Sequence, residues 1–198
     1  MVDQLETDAP KKRSPAKRRS GGGHTTVFLD LDTVLLDSHP GKYGPELTVQ
    51  ADLPQALTRL HELAEKIVVV ANPRPAGSGH EMETDHRLEV LRKGLQAKTD
   101  GLLVVTCPHG ENGDCDCAKP GNGLIVSTLQ RNDFDGHSGW YIGADREGMV
   151  AGRTAGLHTI RIGPHGADHL SEVHRPDYEA RDLMDAANRI LLETLAAD

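Results

Sequence analysis

Nowhere in the 198 residues is there an unbroken apolar run of the kind a membrane-crossing helix needs, about 18 positions or more. The N-terminal stretch also lacks the charged-then-apolar pattern of a secretory signal. Both absences favour a cytoplasmic protein that does not touch the membrane. Cysteine is scarce: there are three, all between Cys107 and Cys117. An odd number packed into one short stretch does not make a disulfide framework and points to metal binding. No internal repeat is visible, and the length suits one soluble domain with a substantial core.

Charge is present but unevenly placed. The segment "KKRSPAKRR", residues 11 to 19, carries six Lys or Arg beside Pro, Ser and the "GGG" at 21 to 23. Residues 24 to 198 carry a formal charge of -11, against -8 for the whole chain. A basic tail therefore precedes an acidic body. Residues 1 to 23 lack the apolar side chains that offset ordering entropy and are predicted to be disordered. The run at 11 to 19 either contacts a polyanion such as nucleic acid or only solubilises the chain.

From residue 24 onward strands and helices alternate. "HTTVFLDLD" reads as a strand with Val27 and Leu29 on one face. "ADLPQALTRLHELAEK" has Leu53, Ala56, Leu57 and Leu60 at helical spacing, with Asp52 as the expected N-cap and Pro54 in the first turn. "KIVVVAN" is a β-branched run suited to a strand covered on both faces. Next come a helix around Leu88, Leu91 and Leu95, the strand "GLLVVT", a helix over "NGLIVSTLQRN" and the strand "GWYIGA". A short helix closed by Gly156, the strand "HTIRI" and a C-terminal helix complete the chain. This order predicts a three-layer, Rossmann-like α/β domain over 24 to 198, with a parallel sheet and no large inserted cap. Trp140 and Tyr141 are expected in the core, and the scattered histidines on the surface.

In such a sheet, ligands gather outside the C-terminal ends of the strands. Asp30, Asn72, Cys107 and Asp145 all fall at predicted strand ends. Asp30 and Asp32, in "DLDTV", could simply begin a turn. Four chain segments converging on one crevice favour a chemical role.

"CPHGENGDCDC", residues 107 to 117, offers Cys107 and His109, then Cys115 and Cys117. Three thiolates and one imidazole suit tetrahedral Zn²⁺, and four protein ligands leave no open position, so the predicted zinc is structural.

Strand-"DLDTV", strand-"AN", "CPH" through "CDCAKP" and "IGADREGMVAG" follow the order seen in haloacid dehalogenase (HAD) superfamily phosphatases. With its Cys-x-His and Cys-x-Cys loop, the chain most resembles the D-glycero-D-manno-heptose 1,7-bisphosphate and histidinol-phosphate phosphatases. The resemblance covers roughly residues 24 to 196. It implies that Asp30 is the nucleophile, forming an aspartyl-phosphate, and that Asp32 is the general acid and then base. It also implies that Lys119 neutralises the phosphate. Mg²⁺ would be held by Asp30, the backbone carbonyl of Asp32 and a carboxylate from the fourth motif. Two carboxylates beside a phosphoryl group are tolerable only when a metal and a lysine offset their repulsion.

The chain departs from that pattern at four positions. Ala71 stands where a Thr or Ser hydroxyl is usual, leaving Asn72 and backbone N–H groups for the phosphate. Ala118 replaces an Arg that holds substrate in the heptose phosphatases. Ala144 and Gly148 occupy the two aspartate positions of the fourth motif, and Asp145 comes one residue late. Either the turn re-aims Asp145 toward the metal, with Glu147 nearby, or the metal site is weak. The leading expectation is a Mg²⁺-dependent phosphomonoesterase of carbohydrate metabolism, acting on a small phosphorylated sugar or polyol. The alternatives are a catalytically weakened binding or regulatory protein, and a phosphatase for nucleic-acid ends that uses the basic tail.

Overall fold

The computed structural model describes residues 25–37, 47–71, 80–94, 102–107, 109, 115–134, 139–163 and 174–197. The basic tail, Asn72, the loop 73–79 and residues 110–114 lie outside the described residues. Six parallel strands form the central sheet: β1 (Thr26–Asp30), β4 (Lys66–Ala71), β5 (Leu102–Thr106), β6 (Trp140–Gly143), β7 (His158–Ile162) and β8 (Tyr178–Ala180), in the order β5-β4-β1-β6-β7-β8. The chain runs outward from β1 to β5, then returns to β6 on the other side of β1. Leu29 sits opposite Val69 of β4 and Ile142 of β6. The C-terminal ends of β1, β4 and β6 are thereby aligned, with a topological switch beside β1, where α/β sheets bind ligands.

Side chains alternate across the sheet with period two. Val27, Leu29, Ile67, Val69, Trp140 and Ile142 face one layer. That layer contains α2 (Leu53–Leu63), α3 (His80–Gly94) and α6 (Leu183–Ala197). It receives Leu53, Ala56, Leu57 and Leu60 from α2, and Leu183, Ala186, Ala187 and Ile190 from α6, all buried. Phe28, Val68, Val70 and Tyr141 face the opposite layer, α4 (Gly123–Asn132) and α5 (Arg146–Thr154). Leu124, Ile125, Leu129 and Met149 fill it. Each fully buried Leu, Ile or Phe adds about 1.5–3 kcal/mol, so both faces of β1 are held by apolar burial.

Some elements differ from the sequence expectations. A single turn of helix, α1 (Leu31–Val34), follows β1 directly, capped by the Asp30 side chain, which accepts the N–H of Asp32. An antiparallel pair, β2 (Leu35–Asp37) with β3 (Leu47–Val49), branches from that turn. Gln50, just after β3, donates its side-chain N–H to the Thr33 carbonyl at 2.6 Å and ties this ribbon to the turn. β8 is a further addition, because three residues are too few to show a period. Asp52 precedes α2 but makes no side-chain cap bond; its backbone is already helical (φ -89°, ψ -4°), whereas an N-cap residue is extended. Among the described residues, no helix is long and apolar enough to cross a membrane.

Candidate active site

Asp30 ends β1 and is almost wholly buried. Its Oδ1 accepts the Asp32 N–H at 3.3 Å. Its Oδ2 accepts the Lys119 ammonium and also the Tyr141 hydroxyl, the latter at 3.3 Å. Lys119 Nζ donates in addition to Asp145 Oδ2 at 2.6 Å. One ammonium therefore joins carboxylates from the ends of β1 and β6, residues 115 positions apart in the sequence. Asp32, one residue into α1, has its Oδ1 against Nη2 of Arg87 on α3.

The electrostatics follow from this arrangement. Burial pushes Asp30 above the ordinary carboxylate range, against the pull of Lys119 and helped by the negative charge of Asp145. Burial alone would lower Lys119, but Asp30 and Asp145 outweigh it and hold the ammonium protonated. Desolvation lowers Arg87, opposed by the charge of Asp30. The crevice thus gathers three carboxylates and two cations, and it still disfavours the charged form of Asp30.

Asp145 takes its direction from the turn that follows β6. It leaves the strand after Ala144 and takes the N-cap of α5, with extended backbone (φ -100°, ψ 162°) and Oδ1 accepting the Gly148 N–H at 2.5 Å. The cap turn aims the other oxygen at Lys119. Glu147 is exposed on the first turn of α5. Asp30 and Asp145 therefore each turn a carboxylate oxygen to one point, where the Lys119 ammonium sits. This all-oxygen set fits a hard divalent cation such as Mg²⁺.

Lys119 is delivered by a compact turn after the cysteine loop. The Gly121 N–H bonds the Ala118 carbonyl at 2.8 Å, and the Gly123 N–H bonds the Asp116 carbonyl at 2.7 Å. A Cβ at Gly121 would lie 2.8 Å from the Ala118 oxygen and closer still to that of Asp116, so only glycine fits the turn. Two residues before Lys119 the chain passes Cys117. The ligand atoms of Cys107, His109, Cys115 and Cys117 all lie within 4.8 Å of one another. Cys107 Sγ is 3.6 Å from Cys115 Sγ and 3.7 Å from His109 Nδ1. Zn–S bonds of about 2.3 Å place tetrahedral sulfurs about 3.8 Å apart, so the cluster has the size of a zinc cage. Burial pushes the Cys107 thiol up to about 11. Backbone N–H groups of Cys117 and Ala118 lower Cys115.

The structure brings together Asp30, Asp32, Lys119 and Asp145, and separately the four Cys and His residues. Asn72 lies outside the described residues. Two contacts escaped the sequence reading. Arg87 reads as an ordinary polar position beside Leu88, and nothing local announces a partner 55 residues earlier. Tyr141 belongs to the core as expected, yet its hydroxyl reaches Asp30.

No protein-family profile matches the chain. A curated relative, the histidine biosynthesis bifunctional protein HisB of Campylobacter jejuni subsp. jejuni, is 22% identical over 148 residues, covering 69% of this chain and 41% of that protein. The chain thus spans about two fifths of that bifunctional relative. The D-glycero-beta-D-manno-heptose-1,7-bisphosphate 7-phosphatase of Pseudomonas aeruginosa is 25% identical over 143 residues, covering 69% of this chain and 79% of the relative. Among solved structures, D,D-heptose 1.7-bisphosphate phosphatase from B. bronchiseptica, complexed with magnesium and phosphate, superposes with a TM-score of 0.66 and 23% identity. That match covers 85% of this chain and 99% of the other.

Proposed function

We propose that this chain, which has the HAD-like fold and is related to the heptose-bisphosphate and histidinol-phosphate phosphatases, hydrolyses phosphomonoesters through an aspartyl-phosphate on Asp30. One observation carries the proposal: the Lys119 ammonium is held between Asp30 and Asp145 at adjacent strand ends, with Asp32 one turn away. A phosphoryl group entering there meets a buried nucleophile, a lysine for its negative oxygens and a second carboxylic acid for the leaving oxygen.

In the first step an oxygen of Asp30 bonds to phosphorus. The bond from phosphorus to the leaving oxygen breaks, and Asp32, as the acid, gives that oxygen its proton. In the second step a water attacks the same phosphorus. Asp32, now a carboxylate, takes the water's proton, and inorganic phosphate leaves with Asp30 restored. Arg87 holds the Asp32 side chain at the leaving-group side, while Lys119 stabilises the charge on the transferred group. Mg²⁺ held by Asp30, Asp145 and the Asp32 carbonyl would neutralise phosphoryl charge. Zn²⁺ held by Cys107, His109, Cys115 and Cys117 would fix the loop that delivers Lys119. The substrate class is a small phosphorylated sugar or polyol. Ala118 leaves the leaving-group side without the arginine that the resemblance implies for heptose binding.

Acid quenching during turnover of a phosphomonoester, followed by peptide mapping, tests the covalent step. The expected result is phosphate on the peptide carrying Asp30; label on another residue, or on none while substrate is consumed, overturns it. A second reading, a binding or regulatory protein with weakened catalysis, is favoured by Ala71, Ala118 and Ala144. It predicts tight phosphate-ester binding without turnover.

A further inference from the structure

Tyr141 lies in β6 with its ring in the layer of α4 and α5, and it is completely buried. Three glycines border it along its length. A Cβ at Gly152 would lie 2.7 Å from Tyr141 Cβ and 2.8 Å from Cγ. A Cβ at Gly143 would lie 2.9 Å from Cε1. A Cβ at Gly148 would lie 2.7 Å from the hydroxyl oxygen and 3.0 Å from Cε1. Gly148 and Gly152 stand one turn apart on α5 and so share a face. Together the three glycines line the tyrosine as a slot from its Cβ to its hydroxyl, which reaches Asp30.

The slot has a consequence for the carboxylate. Lys119 and Tyr141 both donate to Asp30 Oδ2, while the Asp32 N–H donates to Oδ1. Three donors from three chain segments thus meet the carboxylate, and the tyrosine does so through a neutral side chain. Gly148 stands at one of the fourth-motif positions where the chain has no carboxylate, and its missing side chain is the space that the hydroxyl uses. A side chain at 148 and a hydroxyl at 141 exclude each other.

We infer that Tyr141 is a positioning residue for Asp30, and that Gly148 is glycine because the Tyr141 hydroxyl needs its place. The inference rests on the phosphatase reading for its catalytic half alone. The hydroxyl is expected to keep the carboxylate oriented for attack, so its loss slows the chemical step while leaving substrate binding intact.

The test is a cycle of Tyr141→Phe, Gly148→Ala and the double variant, read by thermal unfolding and by p-nitrophenyl phosphate turnover. Gly148→Ala alone should lower Tm by about 5 °C, an ordinary overpacking penalty for a domain this size. In the Tyr141→Phe background the same change should cost less, since the 2.7 Å approach to the hydroxyl is gone while those of 3.0 Å to Cε1 and 3.1 Å to Asp145 Oδ1 remain. Tyr141→Phe should lower kcat about tenfold with KM within about twofold, a split that a purely structural role would not give. Equal Tm losses from Gly148→Ala in both backgrounds overturn the exclusion. An unchanged kcat in Tyr141→Phe overturns the positioning role. A wild type that turns over no ester sinks the phosphatase reading and the positioning role with it, and the unfolding cycle still decides the exclusion between the hydroxyl and a side chain at 148.

Discussion

Two clusters lie almost side by side along the chain, with Cys117 in one and Lys119 in the other, yet they are balanced in opposite ways. The crevice sets Asp30, Asp32 and Asp145 against the protein's own cations, Lys119 and Arg87. The second cluster consists of three thiols and one imidazole. Its thiols are close enough to repel one another as thiolates, and burial holds Cys107 up at about 11. The carboxylate crevice is thus balanced by protein cations, whereas the thiols and imidazole lie at the spacing of a group that could hold a metal ion. The two are joined in the chain, since Cys117 lies two residues before Lys119.

The largest effect should come from removing the Zn²⁺ proposed for the loop. Treating purified protein with a zinc-selective chelator, or making Cys115→Ser, should lower Tm by about 5–10 °C and reduce turnover at least tenfold, because the loop then no longer fixes Lys119. A melting curve and a zinc assay check this. Stoichiometric zinc absent from active protein, with Tm unmoved by chelation, would break the comparison.

A smaller effect is expected on the crevice side. Arg87→Met leaves Asp32 beside a buried apolar side chain in place of the guanidinium, which should cost about 1–3 kcal/mol of stability. It should also lower kcat several-fold, with partial recovery in Arg87→Lys. Urea unfolding with a parallel rate assay measures both. If Arg87→Met unfolds and turns over like wild type, the ion pair with Asp32 contributes nothing to the site.

Much of this was legible in the sequence, because the period of each element carries its own signal. The runs at Val27, Ile67 and Leu102 and the spacing of Leu53 to Leu60 give parallel strands and covering helices without any tertiary information. The Cys and His spacing located the second cluster equally well, since its ligands lie within eleven residues. Short elements were lost: α1, β2, β3 and β8 each have too few residues for a period. The charged partner Arg87 was lost for another reason. Its contact with Asp32 is made through the fold, and on its own helix it is only one polar residue among several. The direction of Asp145 was undecidable from register alone, because a strand's period stops applying where the cap turn begins. Tyr141 shows the same limit at closer range: the three nearby glycines were visible as letters, but not as the walls of one slot.

The role proposed for Asp30 is that of the nucleophile in a phosphomonoesterase. It is tested most directly by assaying wild type and Asp30→Asn on a panel of sugar, polyol and nucleotide monophosphates with Mg²⁺. The expected result is turnover of at least one ester by wild type and a loss of at least about a thousandfold in Asp30→Asn, with the variant still folded. Equal rates for the two proteins on every substrate would rule out Asp30 as the nucleophile.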